Sequence, residues 1–161
     1  MKLLLTIPFI MLFFGLAGRF IKKYSTIYYI SISILSLLCI FLYSQKTPFI
    51  VSIIVNTFVA SGNLAGALFI VVMYATILSN PLKQIAIRMR AEMAITASIF
   101  TLAHNITYGQ RYFVNFFTKF NKLGITTILA TIISMIMILL LIPLTVTSFQ
   151  SVRSKMNPKS W

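Results

Sequence analysis

The chain has 161 residues, 59% of them hydrophobic, and sets 14 basic residues against a single acid, Glu92, for a net charge of +13. Charged residues make up only 9% of it, too few to cover the surface of an ordinary soluble domain. The charge does not point to nucleic acid either, because the basic residues lie in short loops between apolar runs instead of on one face.

Five apolar stretches, 3–18, 26–44, 53–78, 92–117 and 124–149, suit helices that cross a bilayer, which takes about 20 residues each. None shows the two-residue alternation of a membrane barrel. The expected fold is an all-α integral membrane protein, a single domain over 1–161 with five transmembrane helices. Stretch 3–18 follows Met1-Lys2 and is short, so a signal peptide is the competing reading. Gly15-Leu16-Ala17-Gly18 runs straight into Arg19 without a clear cleavage site, and the stretch is read as a retained span. Stretch 26–44 holds Cys39, which has no second cysteine to pair with and reads as buried filler. Lys46-Thr47-Pro48 then reads as a turn.

In 53–78, Gly62 and Gly66 stand four apart, a spacing that lets another helix approach closely or gives room to a flat cofactor. Ser79-Asn80-Pro81 ends the stretch, since the residue before a proline leaves helical geometry. The basic segment 83–90 reads either as an amphipathic segment on the membrane surface or as a solvated loop. Stretch 92–117 opens on Glu92, where a helix N-terminus favours a carboxylate. It also carries the only histidine, His104. Asn105-Ile106-Thr107 has the glycosylation pattern but lies inside the span and is discounted. Pro143, in 124–149, removes a backbone donor and is expected to kink its helix.

Loop charge sets the orientation. Arg19, Lys22 and Lys23, then Lys83, Arg88 and Arg90, then Arg153, Lys155 and Lys159 fall on one side, against Lys2, Lys46, Arg111, Lys119 and Lys122 on the other. The richer side faces the cytoplasm, so the N-terminus is expected outside and the tail inside. A thiol reagent that cannot cross the membrane should therefore leave Ser160→Cys unlabelled in intact cells. Labelling from outside would reverse the assignment.

Chemistry is scarce. There is no carboxylate pair for acid–base hydrolysis, no nucleophile elbow and no metalloprotease spacing. A titratable imidazole in a span is costly and is kept where it has a partner or a task. His104 lies about 18 Å along a helix from Glu92, past the midplane of a core about 30 Å thick.

Several motifs then occur in a family's order. Ser61-Gly62-Asn63-Leu64-Ala65-Gly66-Ala67-Leu68 resembles a small-residue entrance to a helix, and Asn80-Pro81-Leu82-Lys83 a proline-leucine-basic stop. Arg88-Met89-Arg90, followed by Ala103-His104 and Tyr108, resembles a basic start and a haem-ligand helix. Ile142-Pro143-Leu144-Thr145-Val146-Thr147-Ser148, Arg153-Ser154-Lys155 and Trp161 resemble the end of a fourth core helix and the basic, tryptophan-bearing loop beyond it. Over 55–161 the chain resembles the ferric-reductase-like transmembrane domain, and within it the haem-binding membrane subunit that serves bacterial periplasmic methionine sulfoxide reductases.

The resemblance implies a haem-b electron-transfer subunit passing electrons from a cytoplasmic-side flavin or quinol to an external protein or metal. His104 would be an axial iron ligand, Arg111 a candidate partner for the haem propionates or an ordinary interfacial anchor, and Gly62 a source of room for the macrocycle. FMN is a second cofactor that the resemblance allows, and the lipid bilayer is the surrounding partner. The chain departs from the pattern in two ways. Arg90 and Ala91 stand where many members carry a second histidine, and the chain stops at Trp161, before the family's next histidine-bearing helix, which reads as a truncation. The second axial ligand is thus expected from outside this chain. The alternative is a membrane anchor or interaction subunit of the same fold that has lost haem.

Overall fold

The computed structural model describes residues 2–45 and 49–149. The expected turn at Lys46-Thr47-Pro48 and the tail that carries Arg153, Lys155, Lys159 and Trp161 lie outside the described residues.

All regular structure among the described residues is helical. In chain order it comprises α1 (Lys2–Lys23), α2 (Ser25–Ser44) and α3 (Phe49–Ile54), which runs into a π-helical turn (Val55–Ala60). There follow α4 (Asn63–Met73), α5 (Leu82–Arg88), α6 (Arg90–His104), a second π turn (Asn105–Gly109), α7 (Gln110–Thr118), a short 3-10 turn (Phe120–Lys122) and α8 (Ile125–Ser148).

Three of these helices, α1, α2 and α8, are long and apolar enough to cross a membrane. The first runs beyond 18 to Lys23, because Phe20 and Ile21 continue its apolar pattern and the cations of its last turn suit the negative end of the helix dipole. Helix α8 passes through Pro143 without interruption, and the Thr147 hydroxyl donates to the Pro143 carbonyl at 2.8 Å.

The stretch 53–78, expected as one rod, is broken. Gly62 adopts φ +73°, a left-handed conformation that ends one helix and starts the next, and the two halves are bent by 40°. Helix α4 then stops at Met73, well before Asn80-Pro81. Counted together, α3, its π turn and α4 are a fourth candidate crossing. Stretch 92–117 is likewise assembled from α6, the second π turn and α7, with right-handed helical backbone at both joints. The described residues therefore hold three unbroken apolar helices of crossing length, or four with the bent pair, where five were expected. The basic segment 83–90 is not a plain loop: it folds as α5, turning Ala86 inward and leaving Ile87 and Arg88 exposed.

Helix α6 is the centre of the bundle, packed against α4, α2 and α8. It buries Met93 through Ser98, then Phe100 and Ala103. One cluster joins Ile10, Met11 and Phe14 of α1 to Ala67, Leu68 and Val71 of α4 and to Met93 and Ala97 of α6. A second joins Val59, Ala65, Phe100 and Ala103, with Cys39 packed against it. Glycine sets the spacing at both ends of α1. A side chain at Gly66 would meet Leu3 Cδ1 at 3.1 Å, and one at Gly18 would meet Met89 Sδ at 3.2 Å. The outer faces are apolar as well, with Phe9 73% and Leu16 79% exposed, and α8 buries only Thr131.

Close packing of small residues, more than apolar transfer, holds helices together in lipid. Ala97 is fully buried, so Ala97→Leu is expected to cost about 1–3 kcal/mol through overpacking. Leu102→Ala on the exposed face of the same helix should stay within about 0.5 kcal/mol. Unfolding in mixed micelles, followed by circular dichroism, measures both.

Candidate functional site

The break in the third stretch is built against His104. A helix end leaves carbonyls without intrahelical partners, and the Ala60 carbonyl lies at such an end. His104 Nδ1 lies 2.6 Å from that oxygen. A carbonyl can only accept, so Nδ1 carries a proton, which in the neutral imidazole leaves the lone pair on Nε2. No described residue hydrogen-bonds Nε2. Gly62 makes the approach possible: a Cβ there would sit 3.3 Å from Nδ1 and 3.4 Å from Cε1 and Cγ. The structure thus brings together two of the residues singled out from sequence, His104 and Gly62.

On its other side the imidazole stacks near Tyr108, with centroids 6.0 Å apart and planes 14° from parallel. It lines an open cleft of about 370 Å³ between the second π turn, α7 and the first half of α8. The wall from the second π turn and α7 is polar and aromatic, with Asn105, Tyr108, Tyr112 and Phe113. The wall from α8 is small and hydroxylic, with Thr127, Ala130, Thr131 and Ser134. The hydroxyls of Thr131 and Ser134 donate back to the carbonyls of Thr127 and Ala130, both at 2.8 Å, so these two hydroxyls give their protons to the backbone of α8. Gly109 keeps the π turn tight, since a Cβ there would meet Asn105 Oδ1 at 3.1 Å and Phe113 Cε2 at 3.3 Å. The Asn105 side chain donates to the Thr101 carbonyl at 2.8 Å, and the Asn105-Ile106-Thr107 pattern sits within the helical stretch.

Arg111 does not line this cleft. It faces a neighbouring cavity of about 300 Å³ with Tyr43, Thr107, Tyr108, Gln110, Val114 and Asn115. Its guanidinium lies over the rings of Tyr108 and Tyr112, at 4.5 and 5.1 Å from their centroids, a cation–π arrangement. Tyr108 therefore lies between Arg111 and His104.

Glu92 occupies the first turn of α6, as expected, yet its Oε2 is buried with no hydrogen-bond partner. One turn further on, Thr96 links the Glu92 carbonyl, at 2.7 Å, to the Tyr28 hydroxyl, at 2.9 Å. Among the described residues no three His, Cys, Asp or Glu side chains gather in a way that could hold a metal ion.

These features test the fit to a haem. A ligating histidine usually gives its other nitrogen to a carbonyl or carboxylate, which fixes the tautomer and aims the ring. His104 has that arrangement, and one cleft wall is aromatic. The donor set fits one axial position. The cleft offers no second histidine, methionine or cysteine.

Sequence reasoning did not find the Ala60 carbonyl, Gly109 or the α8 wall. A signal for the wall was present: Thr127, Ala130, Thr131 and Ser134 recur at helical spacing in a run otherwise made of large aliphatic residues.

The chain is 36% identical over 145 residues to a protein of Treponema pallidum (strain Nichols) that is described only as uncharacterised. The alignment covers 88% of this chain and 40% of that relative, so the chain spans about two-fifths of the length of the curated relative it matches. No family model matches the chain. No solved structure matches it.

Proposed function

We propose that the chain is a membrane haem-b electron-transfer subunit of the ferric-reductase-like kind, with His104 as one axial ligand. The observation that carries this reading is the Nδ1–H bond from His104 to the Ala60 carbonyl, which leaves Nε2 as the unengaged nitrogen of a ring lining a cleft. Haem, when bound, supplies a one-electron carrier whose potential the axial ligands set. His104 would hold the iron, with the Ala60 carbonyl keeping the imidazole in one tautomer and Gly62 allowing that contact. Tyr108, Tyr112 and Phe113 give the cleft its aromatic wall. A second ligand would have to come from outside the cleft, and Arg111, which lines the neighbouring cavity, would serve the membrane interface.

In this reading α6, its π turn and α7 form a fifth crossing through the bundle. The N-terminus lies outside a bacterial cytoplasmic membrane and the tail inside. A flavin or quinol on the inner side donates, and an external protein or metal accepts. FMN on the donor side rests on the resemblance alone.

A second reading is supported by the same bond. The Ala60 carbonyl at the helix break needs a donor, and His104 meets that need without any ligand, as it would in a membrane anchor that has lost haem. Absorbance spectra of the purified full chain supplied with haemin separate the two. A sharp Soret band with α and β bands on reduction supports electron transfer. A spectrum unchanged from free haemin leaves the anchor.

A further inference from the structure

Six cations meet at one end of the bundle. Arg19, Lys22 and Lys23 occupy the end of α1, and Lys83, Arg88 and Arg90 lie on α5 and the start of α6. Packing brings the two groups together. A Cβ on Gly18 would sit 3.2 Å from Met89 Sδ and 3.7 Å from Arg88 Nη2, and one on Gly15 would sit 3.3 Å from Ile85 Cδ1. Five of the six are exposed, and Lys83 is half-buried. None forms an ion pair with a described residue. Glu92, the one acid of the chain, stands close in sequence but keeps its Oε2 buried. Like charges at this density repel, and Glu92 is the one acid among the described residues to set against all six. Beside them, Leu82 and Ile87 of α5 are 39% and 49% exposed, an apolar footing next to the charges. Lys23 rests over the Tyr24 ring at 5.1 Å, placing an aromatic of the interfacial kind at the same level.

We propose that this end of the bundle is a binding surface for an anionic phospholipid, the phosphate held among Arg19, Lys22 and Arg88 and the acyl chains lying along the apolar flank of α1 and α5. Charge complementarity fixes the occupant. The partner must bring negative charge and also cover apolar surface at the membrane boundary, which a phospholipid does in one molecule. Basic clusters directly beside membrane helices recognise anionic headgroups in this way. The surface is independent of His104 and of any haem.

The test uses the full chain reconstituted in phosphatidylcholine bilayers with trace spin-labelled cardiolipin or spin-labelled phosphatidylcholine. The electron paramagnetic resonance spectra give the relative association of each lipid with the protein. Cardiolipin should be preferred, and the preference should shrink as salt is raised. Lys22→Gln, a change at an exposed position, should weaken the preference roughly fivefold, and each further charge removed from Arg19 and Arg88 by about as much again. Lys119→Gln with Lys122→Gln, beyond the C-terminal end of α7, should leave it unchanged. Equal association of the two lipids, a preference that survives Lys22→Gln with Arg88→Gln, or an equal loss in the Lys119 and Lys122 control would overturn the proposal.

Discussion

Changing His104 to asparagine is expected to abolish haem binding while leaving the bundle folded. The structure decides which substitution isolates the two roles. Nδ1, not Nε2, bonds the Ala60 carbonyl, and an asparagine amide nitrogen occupies nearly the position of Nδ1. His104→Asn therefore keeps a donor for that carbonyl and removes the nitrogen available to iron. His104→Leu removes both. The asparagine variant should unfold within about 0.5 kcal/mol of the parent, whereas leucine should cost about 0.5–2 kcal/mol for the lost hydrogen bond. Haem per protein should fall to background in both. A parent that binds haem and an asparagine variant that retains it with the same spectrum would exclude His104 as the ligand.

Gly62→Ala is expected to damage both the bend and the site. At φ +73° an alanine costs about 1–2 kcal/mol for its left-handed backbone. Its Cβ would also press on the imidazole at 3.3–3.4 Å, so the ring must shift by a few tenths of an ångström. The two costs separate in a double-mutant cycle. In a His104→Ala background the backbone term remains and the ring contact disappears, so Gly62→Ala should be less destabilising there. Unfolding in mixed micelles gives all four stabilities. A Gly62→Ala cost near zero in both backgrounds would show that the left-handed turn is not required.

The unbroken helices were legible because their physical cause is local. Helices α1, α2 and α8 are continuous apolar runs, and α2 has an end signal nearby in Lys46-Thr47-Pro48, whereas Arg19 set the expected end of the first stretch at 18, five residues short of where α1 stops. The breaks were not legible. The residues on either side of Ser61-Gly62 are as apolar as those of an intact span, so hydropathy passes straight over the bend. A π turn has no composition of its own, and Asn105-Ile106-Thr107-Tyr108-Gly109 reads as ordinary helix. At the candidate site, the residue types pointed to His104 and Gly62 separately. Their contact depends on a carbonyl 44 residues from the histidine, and a backbone atom leaves no mark on a sequence. Arg111 drew attention for its charge, but its position over Tyr108 and Tyr112 follows from the turn of α7, which the π segment sets.

That second π turn also governs which way the far half of the stretch looks. A π turn is an α-helix carrying one surplus residue, and each residue of a regular helix advances the face by about 100°. Everything after Gly109 is therefore rotated by roughly that angle from the course set by α6. Tyr112 and Phe113 are swung toward α8 to form the cleft wall, while α6 keeps its own packing on α4, α2 and α8. Deleting one residue between Asn105 and Gly109 would reset the phase and turn those rings away with no change in overall hydropathy. The cleft thus owes its existence to a miscount in the winding of the chain, and its aromatic wall is specified by number as much as by residue type.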